Sequence, residues 1–270
     1  MLPDPSAFIA RGASADVFRL GDGLILKLFH DGIDDGIVTR EFDIARTVFD
    51  TDLPVARPVD MRDAGGRRGI VYAEVEGPDL LNHLKRRPMS MPAMLRAMAA
   101  LHVRIHALEA PTLRSRKQVL AEDVENAPVG EPLRRAALDR LEQLIDGGRL
   151  SHGDFHPGNI LVTAGGLFVI DWSKAAAASP AADVVRTEML MRFGPGPAQS
   201  WWQALLRDAA ARRYVRLYRR MTGLDLEALA AWRALVALAW MRHRLPARDD
   251  AFESYLDNAL AQAGLPPRLA

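Results

Sequence analysis

The chain contains no cysteine in its 270 residues. Disulfides, thiolate metal sites and a cysteine nucleophile are thereby excluded. It has almost no net charge, since 35 basic residues against 34 acidic ones leave +1. No whole-molecule field exists to gather nucleic acid or an anionic bilayer, and neither is expected as a partner. Long apolar runs are missing too. The most apolar stretch, 228-ALAAWRALVALAWM-241, is interrupted by Arg233 and falls short of the ~20 residues that a membrane span needs. The first residues, MLPDPSAFIARG, carry an acid and two prolines and no basic cluster, which is not the pattern of a secretory leader. A cytoplasmic protein is expected. There is no internal repeat, and the one low-complexity tract is Ala175–Ala178.

What is present divides into two kinds of pattern. FIARG, DVFRL and LILKLF are short β-type runs, parted by Gly12–Ser14 and by the hairpin signal Gly21-Asp22-Gly23. Helical spacing takes over at 36–49, with Ile37, Phe42, Ile44, Ala45 and Val48 able to face a core. RPVDM and GIVYAEVEG return to strand character. From Asp79 onward the chain reads as mostly helical. Met91, Met94, Leu95, Met98, Leu101, Ile105 and Leu108 make one long amphipathic helix. Further helices are expected at 132–145, 181–193, 200–221, 225–242 and 249–262, with one hairpin, NILV–TAGG–LFVID, among them. The expected division is an N-terminal lobe over 1–75 and a helical lobe over 76–270, with Gly77-Pro78 marking the joint.

The densest chemistry lies in 151-SHGDFHPGNILV-162. A zinc cage would need three ligands at fixed geometry. His152, Asp154 and His156, or His102 and His106 one turn apart, offer no such set in sequence, and there is no His-Glu-x-x-His. Pro157-Gly158 makes a polar turn plausible, but a turn alone does not account for its neighbours. Phosphoryl transfer requires a carboxylate at the acceptor hydroxyl, oxygen ligands for magnesium and a cation for the nucleotide phosphates. His152, Asp154 and Asn159 have the His-x-Asp-x-x-x-x-Asn spacing of kinase catalytic loops, and Asp171 closes the following hairpin. Upstream, Lys27 stands in a strand, and Glu41 lies on the helix expected beside it.

HGDFHPGNIL, VIDW, SPAADVVR, GASADVFRL, LILKLF and EVEG together resemble the aminoglycoside phosphotransferase and choline kinase-like family of small-molecule kinases. The resemblance spans residues 9 to about 186. It implies an α+β, protein kinase-like fold of two lobes: a small antiparallel sheet with one helix, and a larger, mainly helical lobe. It implies ATP or GTP as phosphoryl donor, Mg2+, and a small-molecule hydroxyl as acceptor. Asp154 would be the catalytic carboxylate, and Asn159 and Asp171 would hold the metal. Lys27 would meet the α- and β-phosphates with Glu41 holding it extended. Gly12, Ser14 and Ala15 would cover the nucleotide, while Ala73 and Val75 would offer backbone groups to the purine. His156 stands where protein kinases often place a lysine near the γ-phosphate. His152 and Asp183 would brace the loop. The cover loop has one glycine rather than three, and Trp172-Ser173 replaces Phe-Gly after the metal aspartate. Pro180 and Asp183 follow Asp171 so closely that little room remains for an activation loop, which favours a small acceptor over a protein.

Between 201 and 248 arginine dominates: Arg207, Arg212, Arg213, Arg216, Arg219, Arg220, Arg233, Arg242, Arg244 and Arg248 stand against few acids. Taken alone, that excess points to a neutral or anionic acceptor, although the arginines of 212-RRYVRLYRR-220 also fit a solvated helix face. Trp201-Trp202 could line a pocket or fill the core. Two other readings of the chain are a catalytically silent nucleotide-binding regulatory module and a metal hydrolase built on the histidines. Oligomeric state leaves no mark in the sequence.

Overall fold

A computed structural model describes residues 4–194, 200–242 and 249–268. Its contacts divide the chain into two compact units. One comprises Met1–Arg86 with Gly158–Ser173, the other Arg87–Pro157 with Lys174–Ala270.

In the first unit, β1 (Phe8–Arg11), β2 (Ala15–Gly21), β3 (Leu24–Phe29), β4 (Pro58–Ala64) and β5 (Arg67–Ala73) form an antiparallel sheet in the order β1-β2-β3-β5-β4. The β2–β3 reversal needs left-handed backbone at three successive residues, Gly21, Asp22 and Gly23 (φ 89°, 51° and 70°). Two of the three lack a Cβ, which removes most of the steric cost. Helix α1 (Asp35–Phe49) packs on β4 and β5, and the Asp34 side chain caps it by accepting from the Gly36 N–H at 2.8 Å.

Strand alternation divides the apolar residues between two layers. Ala15, Phe29, Val38 of α1 and Ile70 form one cluster, and Leu26, Leu28, Ala64 and Val71 form the other. On α1, Val38, Glu41, Ile44, Ala45 and Val48 are buried, whereas Ile37 is exposed. Ile44, Ala45 and Val48 thus face the core as expected and Phe42 packs against it, but Val38 replaces Ile37 because it lies one turn before Glu41 and two before Ala45.

The hairpin of β7 (Ile160–Thr163) and β8 (Gly166–Val169) belongs to this unit for a hydrogen-bonding reason. The Val162 N–H donates to the Pro78 carbonyl at 2.9 Å, and the Val169 N–H to the Pro54 carbonyl at 2.8 Å. Gly77 sits at φ 151°, and a Cβ there would collide with the Val162 carbonyl. Gly77→Ala is expected to lower unfolding stability by about 1–3 kcal/mol. An unchanged urea midpoint would show that the joint relaxes freely.

The second unit holds the remaining elements: α3 (Met91–Ala107), α4 (Arg116–Glu125), α5 (Glu131–Gln143), α6 (Pro180–Phe193), α7 (Trp201–Thr222), α8 (Leu226–Trp240) and α9 (Asp249–Ala263). A short pair, β6 (Arg149–Ser151) with β9 (Ala176–Ala178), joins the two stretches of chain that compose this unit. Helix α2 (Leu80–Arg86) belongs to the first unit. The apolar run 228–241 becomes α8, which is buried nearly all round and packs on α4, α6 and α9. An all-round hydrophobic helix marks the middle of a helical unit as readily as a bilayer. Among the described residues no helix is long and apolar enough to cross a membrane. Helix α4 escapes sequence analysis because only Leu120 and Val124 supply its apolar face, and the alanine tract hides β9 in the same way.

Candidate functional site

Alternation along β3 turns Lys27 to the same face as Phe29, the face that carries α1. Glu41 lies on the buried stripe of α1, three residues after Val38. The Lys27 ammonium meets Glu41 Oε1 at 2.6 Å and Asp171 Oδ1 at 3.0 Å. Burial works to lower the pKa of this lysine, but Asp171 and Glu41 outweigh it and hold the group charged, above its ordinary value. Asp171 follows β8 with φ 62°, a left-handed conformation uncommon for aspartate. Across the hairpin the Ile170 N–H donates to the Asn159 carbonyl at 3.0 Å. Asn159 and Asp171 therefore stand at the same end of the hairpin, two oxygen-bearing side chains suited to a hard cation.

Elsewhere in this unit, Gly12 and Ala15 close the β1–β2 turn by a 2.8 Å bond from the Gly12 N–H to the Ala15 carbonyl. Ser14 accepts from the His30 N–H at 2.8 Å, and the Ala15 side chain is buried in the cluster under α1. Ala73 ends β5 with its N–H given to the Arg57 carbonyl at 2.8 Å, and Val75 is half-buried just beyond.

The second unit presents Asp154 on the loop after β6. Lys174 Nζ lies 3.2 Å from its Oδ2, and Arg186 Nη2 lies 3.9 Å from its Oδ1. Burial works to raise the Asp154 pKa, yet Lys174 first, then Arg186, His156 and His152, hold it below its ordinary value. His156 stands half-buried on the same loop. Sequence analysis overlooked Lys174 and Arg186 in these positions. Their signals were present: Lys174 stands three residues after Asp171, and Arg186 one helical turn after Asp183.

Beneath the loop lies a buried network. Asp183 is 2 % exposed and accepts from the His152 N–H at 2.8 Å and the Gly153 N–H at 3.0 Å. Its Oδ2 also faces His102 Nε2 at 3.1 Å and His106 Nε2 at 3.3 Å. These hydrogen bonds overcome the opposing effect of burial and keep the Asp183 carboxyl well below its ordinary pKa, so it only accepts. Both Nε2 atoms must therefore donate, and on the far side of each ring Nδ1 is hydrogen-bonded to a tyrosine hydroxyl, His102 to Tyr214 at 2.5 Å and His106 to Tyr218 at 2.7 Å. His102, His106 and Asp183 are the one group among the described residues whose ligand atoms converge as a metal site would require. Here those atoms satisfy one another as a brace for the loop.

Burial, then the neighbouring His106, pushes His102 down to about 3. An unfolded imidazole takes its proton near pH ~6.5, so between those values the unfolded state binds more protons and stability falls as pH is lowered. Urea unfolding from about pH 6.5 to about 4 is expected to show a decline of up to about 1.4 kcal/mol per pH unit. A flat profile would mean that His102 protonates in place.

The arginines find structural employment. Arg207 caps α6 through the carbonyls of Leu190, Met191 and Gly194, and Arg219 bonds the Leu224 carbonyl. Arg233 pairs with Glu188 and Arg242 with Asp123. Arg212, Arg213, Arg216 and Arg220 are exposed, while Arg244 and Arg248 lie outside the described residues. Arg207, Arg219, Arg233 and Arg242 are thus held by partners within their own unit. Trp201 and Trp202 are exposed, not core.

A model of the phosphotransferase enzyme family matches residues 7–224, and the chain belongs to that family. No curated protein matches the sequence. Among solved structures, an amicoumacin kinase superposes with a TM-score of 0.64 at 16% identity, covering 97% of this chain and 89% of that one. An aminoglycoside phosphotransferase, APH(3'')-Id from Streptomyces rimosus, gives 0.60 at 20% identity over 88% of this chain and 94% of its own. A choline kinase from Cryptosporidium parvum gives 0.57 at 12% identity over 97% and 90%. The likeness is one of fold: an α+β, protein kinase-like architecture with a five-stranded antiparallel sheet and a helical lobe. The chain is a phosphotransferase.

Proposed function

We propose that the protein is a magnesium-dependent small-molecule kinase that moves the γ-phosphoryl group of ATP or GTP to a hydroxyl. The observation that carries this reading is the half-buried ammonium of Lys27 held between Glu41 and Asp171, residues 14 and 144 positions away in sequence. Lys27 meets the α- and β-phosphates, with Glu41 keeping it extended. Asn159 and Asp171 would hold magnesium: their oxygens suit it, and Asp171 already attracts a cation. Magnesium, when bound, would offset the charge on the nucleotide's phosphate oxygens. Gly12, Ser14 and Ala15 cover the phosphates through backbone, since Ala15 has its side chain in the core. The Ala73 N–H is used within the sheet, so a purine would meet its carbonyl and the backbone of Val75.

Asp154 accepts the hydrogen bond of the acceptor hydroxyl and aims its oxygen at phosphorus. The bond between the γ-phosphorus and the β-phosphate bridging oxygen breaks, the new phosphorus–oxygen bond forms, and the hydroxyl proton passes to Asp154. With its pKa held low, Asp154 is a weak base, which suits a loose transition state in which positioning outweighs proton abstraction. Support for a small acceptor comes from the solved relatives, one described with AMP-PNP and amicoumacin and another with ADP and streptomycin.

The test is magnesium-dependent ADP or GDP release across a panel of hydroxylated metabolites and antibiotics. An acceptor that stimulates release in the wild type and not in Asp154→Asn supports the reading and names the substrate class. Stimulation that persists in Asp154→Asn would sink it. Glu41→Gln is expected to weaken nucleotide binding about tenfold, roughly the 1.5–3 kcal/mol of a charge-assisted bond discounted for the surviving Asp171 contact; titration calorimetry with Mg-ADP measures it.

A further inference from the structure

Arg116 breaks two local rules at once. It opens α4, the end of a helix whose dipole disfavours a cation. It is also only 7% exposed, yet among the described residues no carboxylate forms an ion pair with it. Burial, before any neighbour, draws its pKa down to about 10, so the guanidinium stays charged at neutral pH. Local conflicts of this kind collect at functional positions.

What the guanidinium touches is the loop that carries Asp154. Its Nη2 donates to the Lys174 carbonyl, and the same nitrogen fills the place that a Cβ on Gly153 would take. Gly153, the residue before Asp154, is thus gripped on three sides. Its N–H donates to Asp183 at 3.0 Å, its carbonyl accepts from Arg186 Nε, and its Cα lies against Arg116. The root of Arg116 is fixed in turn. The Ala177 N–H of β9 donates to the Arg114 carbonyl at 3.0 Å, and Ser115 caps α4 by accepting from the Gln118 N–H at 3.1 Å. All of these residues belong to the second unit.

We propose that Arg116 is a positioning residue: its guanidinium wedges Gly153 and the Lys174 backbone apart at a set distance and so fixes where the Asp154 carboxylate stands. The Asp183 bonds hold the N–H groups of the loop, while Arg116 stops the Gly153 Cα from sliding toward Lys174. A reacting group displaced by about 1 Å can lose about 10²-fold in rate. Resting on the phosphotransferase reading above, the consequence is that Arg116 acts on phosphoryl transfer through Asp154 without touching nucleotide or acceptor. The sequence conceals this, because Arg116 and Lys174 are 58 positions apart.

The test compares Arg116→Met and Arg116→Lys with Leu120→Ala, which lies one turn along the same buried face of α4. Hydrogen exchange by NMR on the full chain reads the Gly153 amide against the amides of the buried Leu256 and Leu260 on α9. Arg116→Met is expected to speed exchange at Gly153 by about 10²-fold beyond any change on α9, whereas Leu120→Ala changes both together. Turnover of saturating Mg-ATP or Mg-GTP with water as acceptor is expected to fall about 10²-fold in Arg116→Met, with nucleotide affinity within about twofold of wild type. Arg116→Lys can still donate to the Lys174 carbonyl and should recover most of the rate. If Arg116→Met does not fold, Arg116→Lys shows the same signs at smaller size. Equal acceleration at Gly153 and on α9 would make Arg116 merely structural and overturn the proposal, as would an unchanged turnover. If neither water nor any compound of the panel supports turnover in the wild type, the phosphotransferase reading fails, and the exchange measurement still decides whether Arg116 holds the loop.

Discussion

Asp154→Asn is expected to reduce phosphoryl transfer by about 10²–10⁴-fold, the range for loss of a positioned proton acceptor, while magnesium-nucleotide binding survives. Of the residues proposed for the nucleotide, Lys27 pairs with Glu41 and Asp171, and all three belong to a different unit from Asp154. An amide is isosteric with the carboxylate, so the loop keeps its shape. The Asp183 bonds to the His152 and Gly153 N–H groups, which set that shape, do not involve the substituted side chain. Two things change. The acceptor hydroxyl loses the group that takes its proton, and Lys174 and Arg186 lose their counter-charge. Single-turnover measurement with a productive acceptor should show the loss in the chemical step, with nucleotide affinity retained. Loss of affinity in step with turnover would instead identify Asp154 as part of the nucleotide site.

The second large effect is on stability. Asp183→Ala is expected to cost about 3–5 kcal/mol, the scale for removing one partner of a buried charged network. The carboxylate accepts from two loop N–H groups and from two imidazoles, all of them in the interior. Removing it strands four donors where water does not reach, and each stranded donor costs about 1–3 kcal/mol. The total stays below the sum because the histidines can turn or trade tautomers. Asp183→Asn should be milder, since one oxygen survives, although its amide now opposes a donor with a donor. Urea unfolding with both variants measures the difference. Stability loss smaller than about 1 kcal/mol in Asp183→Ala would mean that another acceptor replaces the carboxylate. The same variant is expected to lose turnover, because the backbone that aims Asp154 is no longer held.

Much of this protein is written locally. The spacing of His152, Asp154, Asn159 and Asp171 is a property of one loop and one hairpin, in which the turn and the ladder determine where the side chains fall. The sheet strands, the long helix over Met91–Ala107 and the later helices follow from periods of two and of three to four residues, and these require no knowledge of distant partners. Helix α4 and strand β9 carry too few large apolar residues for a period to register, so only packing against neighbours forms them. The pairing of Lys27 with Asp171 joins residues 144 positions apart, and alternation along β3 could give the lysine's face but not its second partner. The arginines of the C-terminal helices illustrate the same division. Their number is legible in the sequence, yet whether each caps a helix, pairs with an acid or meets water depends on which helix end or carboxylate the fold places within reach. Lys174 and Arg186 belong to that second class. Spacing alone made the loop proposed as catalytic legible, and only the tertiary structure put two cations at its carboxylate, because a contact between side chains from different elements exists only once the backbone has brought those elements together.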